Sequence, residues 1–147
     1  MINLLKNIFN DKIATDKKDV VSNLELLCGL MIEAAFTDGQ VEESELNKIK
    51  SSLINVFDED PNEVDLVLDL ALKNKNNNKS LHYYTSYINK NFDENKKLLL
   101  IESLWEIVLS DGELHDFESS LIRRLAGLLY VSDVKSGNAR KKALNKN

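Results

Sequence analysis

Apolar residues recur every three or four positions along almost the whole chain, a spacing that places side chains on one face of an α-helix. The six stripes of this kind are Val20, Leu24, Leu27, Met31 and Ala34; Leu46, Ile49, Leu53 and Val56; Val64, Val67, Leu68 and Ala71; Leu81, Tyr84 and Ile88; Ile101, Leu104, Trp105 and Val108; and Leu121, Ile122, Leu125 and Leu128 or Leu129. The pattern predicts an all-α fold, a single-domain bundle of about seven helices that spans residues 1–147.

Helix start signals agree with these stripes. The motif Asp60-Pro61-Asn62-Glu63 places an acid at the N-cap, proline at the first helical position and glutamate at the third. Ser80, Asp93 and Ser132 are further N-cap candidates. Residues 73–79 are polar and rich in asparagine, which indicates a loop between two halves of the chain.

The composition narrows the possible fold classes and functions. With 5 Gly and 1 Pro in 147 residues, the chain has too few turn formers for an all-β protein. A single cysteine, Cys28, excludes an intramolecular disulfide, and its apolar surroundings indicate a small core residue. The two histidines, His82 and His115, lack Glu-x-x-His spacing, and the chain has no phosphate-binding glycine loop and no nucleophile motif. We therefore expect no enzymatic activity.

Charge is unevenly distributed along the chain. The formal net charge is −5, and residues 38–69 hold ten acids and two lysines, whereas residues 121–147 hold seven bases and one acid. This balance disfavours nucleic acid as a partner. We expect the basic region to be a solvated helix end, with binding of a protein partner or of a second copy of the chain as the alternative.

Residues 1–12 form an amphipathic N-terminal arm in the sequence, with apolar side chains at near-helical spacing. We expect the arm to pack on its own domain or on a second subunit, with peripheral membrane contact through residues 1–9 as the alternative. No apolar run approaches the ~20 residues that span a bilayer, so a cytoplasmic location is expected.

An internal repeat appears when the sequence is shifted by 73 residues, which aligns 30–57 with 103–130. The matched pairs are Glu33 with Glu106, Asp38 with Asp111, Gly39 with Gly112, Glu45 with Glu118, Ile49 with Ile122, Val56 with Leu129 and Phe57 with Tyr130. Each copy is predicted to be a helix, an Asp-Gly turn and a second helix. Two repeat units, about 20–72 and 93–145, are therefore expected to pack with pseudo-twofold symmetry.

The Asp-Gly turns are the candidate functional sites. Gly39 and Gly112 are predicted at the C′ positions of long helices, where the left-handed conformation favours glycine. Asp38 and Asp111 then lie beside helix C-termini, where the helix dipole disfavours an anion by roughly 0.3–1 kcal/mol. Backbone N–H groups or a bound cation would compensate for this cost.

Two interpretations fit the glutamates that follow the turns by seven residues. At the third position of a helix, Glu45 and Glu118 would cap orphan N–H groups. The spacing also matches the second half of an EF-hand calcium loop, although the absence of its first half excludes an ordinary EF-hand. Glu33 and Glu106 lie in apolar helical segments and are expected to be partly buried. All six carboxylates together would suit Ca²⁺, Mg²⁺ or Mn²⁺, while the spacing alone favours capping.

The segments Ile32–Val41 and Leu104–Leu114, with Phe92-Asp93-Glu94 and the run from Glu118 to Leu129, resemble the TerB-like tellurite resistance family. The resemblance is to its short, stand-alone bacterial branch. It implies a helical fold of two related halves without known enzymatic activity, and a role in metal binding or sensing during stress. It also implies that the candidate metal ligands are the following residues: Asp38, Glu45, Asp111 and Glu118, supported by Glu33 and Glu106. The alternative function is a helical protein–protein interaction module in which the acidic turns are purely structural.

Overall fold

The computed structural model describes residues 22–36, 41–74, 80–110 and 116–146. These residues form seven α-helices: α1 (Asn23–Ala35), α2 (Glu43–Asn55), α3 (Pro61–Lys73), α4 (Leu81–Asn91), α5 (Glu94–Val108), α6 (Asp116–Leu128) and α7 (Asp133–Lys146). No β-strand occurs in the described part of the chain. The prediction of an all-α, single-domain bundle is confirmed. The N-terminal arm, residues 1–12, lies outside the described residues.

Side-chain caps begin most of these helices, and the four predicted N-caps are confirmed. The cap acceptors and their N–H donors are Asp60 with Asn62 (2.8 Å), Ser80 with Tyr83 (3.2 Å), Asp93 with Lys96 (2.8 Å) and Ser132 with Lys135 (3.2 Å). Ser22 caps α1 in the same way, by accepting from the N–H of Glu25 at 3.2 Å. Each cap satisfies an N–H group that has no partner within its helix.

Helices α1 and α5 form the centre of the bundle. Apolar side chains lie on nearly all sides of both helices, and residues 103–108 of α5 are all buried. A helix that is apolar all round requires neighbours all round. Helix α1 packs against α2, α3, α4, α5 and α6, while α5 packs against α1, α2, α6 and α7. Among the described helices, none has the length and apolarity needed to cross a membrane.

The internal repeat extends over three helices in each half. A shift of 73 residues places α1 within α5 and superimposes the bounds of α2 on those of α6. Helix α2 packs against α5, and α6 packs against α1, as a pseudo-twofold axis requires. Helix α4 connects the two halves and contacts α1 and α6.

The register of the repeat changes by one residue after the second helix of each half. Asp58 and Tyr130 both adopt the left-handed conformation, with φ of 55° and 61°, and they are separated by 72 residues. The N-caps Asp60 and Ser132 have the same separation. The predicted pairing of Phe57 with Tyr130 is therefore wrong, because the first half has one additional residue before its left-handed turn. Helices α3 and α7 correspond with a shift of 72.

The positions predicted for the turn glycines are also wrong. Helix α1 ends at Ala35 and α5 ends at Val108, so each glycine follows four residues after the last helical residue rather than at C′. At the end of α5, the Ser110 hydroxyl and N–H both donate to the Ile107 carbonyl, at 2.8 and 3.2 Å. These bonds satisfy a terminal carbonyl without a glycine cap. Gly39 and Gly112 themselves lie outside the described residues.

Helix α4 approaches α1 closely at Gly29. A Cβ atom built at this glycine would lie 2.7 Å from the hydroxyl oxygen of Tyr84. The ring of Tyr84 is buried and makes an edge-to-face contact with Tyr83, with centroids 5.8 Å apart. Tyr87 is half-buried and donates to the Asn23 side-chain oxygen at 2.9 Å. These contacts pack α4 against α1.

Cys28 is buried in α1, so the predicted core role of this residue is also confirmed. Burial raises the pKa of its thiol to about 12, with smaller contributions from the negative charges of Glu59 and Glu25. The reactive form of cysteine is the thiolate. The thiol therefore stays protonated at neutral pH and is not a nucleophile.

Candidate functional site

The candidate site residues lie at two equivalent junctions, between α1 and α2 and between α5 and α6. Asp38 and Asp111 fall within the connections, outside the described residues. Glu33 and Glu106 lie in the last turns of the preceding helices, and Glu45 and Glu118 are in the first turns of the helices that follow. Four of the six predicted carboxylates can therefore be placed.

Glu45 is only 3% exposed and is the third residue of α2. Its Oε1 accepts a hydrogen bond of 3.2 Å from the N–H of Glu42, the N-cap residue, as part of a capping box. The predicted capping role is confirmed at this junction. Capping uses one carboxylate oxygen and is compatible with a further ligand at the other.

Glu118 is the counterpart of Glu45 in the second half. It is also the third residue of its helix, and it is also 3% exposed. The residue that would complete a capping box here is His115, which lies outside the described residues. The two halves therefore share a buried carboxylate at the same helical position.

Glu33 and Glu106 confirm the expectation of burial. Glu106 is 6% exposed, and it lies between Trp105 and Ile107, both of which are buried. Glu33 is half-buried beside Ile32. Burial of a carboxylate is costly unless polar or charged groups stabilise it.

The described carboxylates do not make a metal centre by themselves. Within residues 22–36, 41–74, 80–110 and 116–146, no group of three or more His, Cys, Asp or Glu side chains could hold a metal ion. A site with three protein ligands at these junctions would therefore have to include residues of the connections 37–40 and 111–115. Carboxylate oxygens are hard donors, which suit Ca²⁺, Mg²⁺ and Mn²⁺.

A second concave site lies between α6 and α7 and was not predicted. This cavity, of about 320 Å³, is lined by Trp105, Arg123, Asp133, Ser136, Gly137 and Arg140. The register of 72 between α3 and α7 is hidden by the sequence shift of 73, and only the packed helices reveal it.

Comparison with known proteins identifies the family. Residues 24–141 match the family described as Tellurite resistance protein TerB. No curated protein and no solved structure matches the chain. The match covers most of the chain, from the first turn of α1 to the middle of α7, and includes the helix that connects the halves. This chain belongs to the TerB family.

Proposed function

We propose that this protein acts without catalysis, as a cytoplasmic protein that binds or senses a divalent cation, Ca²⁺, Mg²⁺ or Mn²⁺, in a response to tellurite or metal stress. The paired acidic junctions are the proposed site. Asp38 and Asp111 supply ligands from the connections, and Glu45 and Glu118 supply them from the helices that follow. Glu33 and Glu106 support the site from the preceding helices. Family membership agrees with this function.

The observation that carries the proposal is the matched burial of Glu45 and Glu118. Both carboxylates are at the third position of the helix after an Asp-Gly sequence, and both are almost inaccessible to solvent. One capping carboxylate could be buried for local reasons, and Glu45 does cap its helix. The recurrence of acids before and after both turns is the arrangement that a cation would stabilise further.

Thermal unfolding with added metal tests this function. At a metal concentration one hundred times the Kd, binding stabilises the folded state by about 2.7 kcal/mol. For a domain of this size, that raises the Tm by roughly 5–10 °C. We expect Ca²⁺ or Mn²⁺ to produce such a rise, and Asp38→Asn combined with Asp111→Asn to abolish it.

The control variant is Asp65→Asn combined with Asp69→Asn, which removes the same charge from the exposed face of α3. It should keep the full metal response. An unchanged Tm at millimolar metal would contradict the proposal, as would an equal loss of response in both double variants. Circular dichroism at 222 nm verifies that each variant is folded.

A second candidate function is protein–protein interaction through α3. Leu66 and Leu70 are 65% and 52% exposed, and they lie one turn apart on the outer face of this helix, with Asp65 and Asp69 beside them. Adjacent exposed leucines with an acidic border are typical of a contact surface. A second copy of the chain is the simplest partner.

Sedimentation velocity tests this alternative. We expect Leu66→Gln combined with Leu70→Gln to shift a dimer to the monomer. The matched control, Val134→Gln with Leu144→Gln, removes two exposed apolar side chains from α7 and should leave the dimer intact. Monomeric wild-type protein at 100 micromolar, roughly the weak end of useful affinities, would contradict self-association.

A further inference from the structure

The two halves of the bundle contain corresponding grooves, each between the second and third helix of its half. The first groove, between α2 and α3, has a volume of about 230 Å³. Its residues are Leu46, Lys50, Asp65, Leu68, Asp69 and Leu72. Within it, the Lys50 ammonium forms an ion pair with Asp65 at 3.2 Å. In the first groove, the cation and the anion of this ion pair are therefore both side chains of the protein.

The corresponding residues of the second groove differ in charge. A shift of 73 brings Lys50 to Arg123, and the shift of 72 that relates α3 to α7 brings Asp65 to Gly137 and Leu68 to Arg140. The cation is retained, but the carboxylate that neutralises it in the first half is absent. A buried leucine is replaced by a second cation.

The second groove has room for a ligand and side chains that can donate hydrogen bonds to it. A Cβ atom built at Gly137 has no other atom within 4 Å, so the volume that an aspartate would enter is open. The Arg140 guanidinium carbon lies 5.5 Å from the Trp105 ring centroid, which holds the side chain over the indole. The buried Arg140 Nε makes no hydrogen bond with any described residue.

Ser136 adds a third donor at the base of the groove. Its Oγ accepts a hydrogen bond of 3.4 Å from the Trp105 indole N–H, which leaves the hydroxyl hydrogen able to donate. Asp133 also lines the cavity, so the three ionisable side chains carry one excess positive charge. The cavity is at the small end of ligand pockets, which span roughly 300–1,000 Å³.

We propose that the groove between α6 and α7 binds a small oxyanion, namely a phosphate group. The anion occupies the place that the Asp65 carboxylate has in the first groove, between the guanidinium groups of Arg123 and Arg140. Planar guanidinium groups donate paired N–H bonds to two oxygens of such a group. This site is separate from the acidic junctions and does not depend on the cation-binding function.

The fluorescence of Trp105, the only tryptophan of the chain, reports on the groove directly. The wild-type protein is titrated with inorganic phosphate, and with sodium chloride at matched ionic strength. We expect a saturable change with phosphate only. Arg123→Gln and Arg140→Gln should each raise the apparent Kd about tenfold, the usual consequence of losing one charge-assisted hydrogen bond.

Arg124→Gln is the matched control, because Arg124 neighbours Arg123 on the exposed surface of α6 but does not line the cavity. It should bind phosphate like the wild type. A change that does not saturate, or an equal loss in Arg124→Gln and Arg123→Gln, would show only general surface attraction and overturn the proposal.

A variant that adds a carboxylate to the second groove provides an independent test. Gly137→Asp restores the carboxylate of the first groove, and we expect it to prevent phosphate binding while the protein remains folded. Gly137→Asn has almost the same shape without the charge and should bind more strongly than Gly137→Asp. Equal binding by the two variants would contradict the role of the missing carboxylate.

The source of the oxyanion is distinguished by a second ligand, a blocked tripeptide that contains phosphoserine. Stronger binding of the peptide than of free phosphate identifies a modified protein chain as the source. Stronger binding of free phosphate identifies a small ion. If neither ligand gives a saturable response, the proposal is wrong.

Discussion

Helices α3 and α7 have corresponding places in the two halves of the bundle, yet they carry opposite charge. Helix α3 has three acidic residues and one lysine, whereas α7 has one acidic residue and five bases. Their inward positions differ in size as well. Val64 and Val67 of α3 correspond to Ser136 and Ala139 of α7, and the smaller pair lies where α7 packs extensively against α5.

This difference shows which features of a repeated unit the fold requires. Both halves retain the bounds of the second helix, the left-handed turn after it and the side-chain N-cap of the third helix, because these determine the path of the backbone. The outer charges are not constrained in this way, since exposed ion pairs contribute little to stability. Divergence at the surface can therefore give the halves different ligands on the same framework. Substitutions at equivalent positions of the two halves test how far their structural equivalence extends.

The largest expected difference in stability is between substitutions of Trp105 and of Ile32. These residues occupy equivalent buried positions in α5 and α1. Trp105→Ala should lower the free energy of unfolding by about 3–5 kcal/mol, through loss of volume and of the contacts with Ser136 and Arg140. Ile32→Ala should cost less, toward the lower end of about 2–5 kcal/mol. Urea unfolding measures both values, and a larger cost for Ile32→Ala would contradict this ranking.

The next largest effect on stability is expected at Gly29, where α4 packs closely against α1 of the first half. Gly29→Ala should destabilise the protein by about 1–2 kcal/mol, because overpacking against Tyr84 exceeds the gain in helix propensity. The equivalent residue of the second half is Glu102, which is half-buried, so no glycine is required there.

Two further variants isolate this contact. Tyr84→Phe removes the nearest atom and should recover part of the stability that Gly29→Ala loses, which a double-mutant cycle in urea would measure. Gly127→Ala, with open space around its Cβ, should stabilise the protein by about 0.5–1 kcal/mol. A stabilising effect of Gly29→Ala would show that α4 can move away without cost.

The sequence was sufficient to predict the fold because the relevant signals are local. Helical periodicity, the Asp60-Pro61 start and the caps at Ser80, Asp93 and Ser132 depend only on residues a few positions apart. Burial of Glu106 and Cys28 was also predictable, since each lies within a segment that is apolar on all sides.

The site in the second groove could not be predicted, because it depends on how distant helices meet. Arg123 and Arg140 approach each other only through the packing of α6 and α7. A one-residue difference in length before the left-handed turn also changed the pairing of α3 with α7, so that the sequence shift of 73 paired Leu68 with Lys141 instead of Arg140. Tertiary contacts determine which of these alignments is physically meaningful.

A smaller effect is expected at the left-handed residues Tyr130 and Asp58. The left-handed conformation costs a residue with a side chain roughly 1–2 kcal/mol, while Asp is tolerated better than most. Tyr130 is 85% exposed, and the Lys97 ammonium lies 5.9 Å from its ring. Tyr130→Gly should therefore raise the stability by up to about 1 kcal/mol, after the greater flexibility of unfolded glycine is subtracted.

Asp58→Gly should stabilise the protein less than Tyr130→Gly. Tyr130→Ala is the control, because it removes the ring but keeps the strained conformation, and it should not increase the Tm. Differential scanning calorimetry compares the three variants. An equal gain for alanine and glycine would show that the exposed ring, and not the backbone, is the source of strain.

The smallest effect is a pH dependence that arises from an ion pair of the second half. The Lys135 ammonium donates to Glu94 across α5 and α7, and this bond, with the charges of Lys135 and Lys97, lowers the pKa of Glu94 below 4.5. In the first half, α3 has the acidic residue Glu63 where α7 has Lys135.

The stability that comes from the lowered pKa of Glu94 is fully present above the ordinary pKa of glutamate. It decreases as the pH falls through the lower, folded-state value. Glu94→Gln should therefore slightly flatten the loss of stability on acidification. Urea unfolding of the wild type and of this variant between about pH 6 and 3 measures the two slopes, and because the Glu94 pair is exposed, high salt should reduce its contribution. An unchanged slope for Glu94→Gln would mean that this pair does not persist in solution.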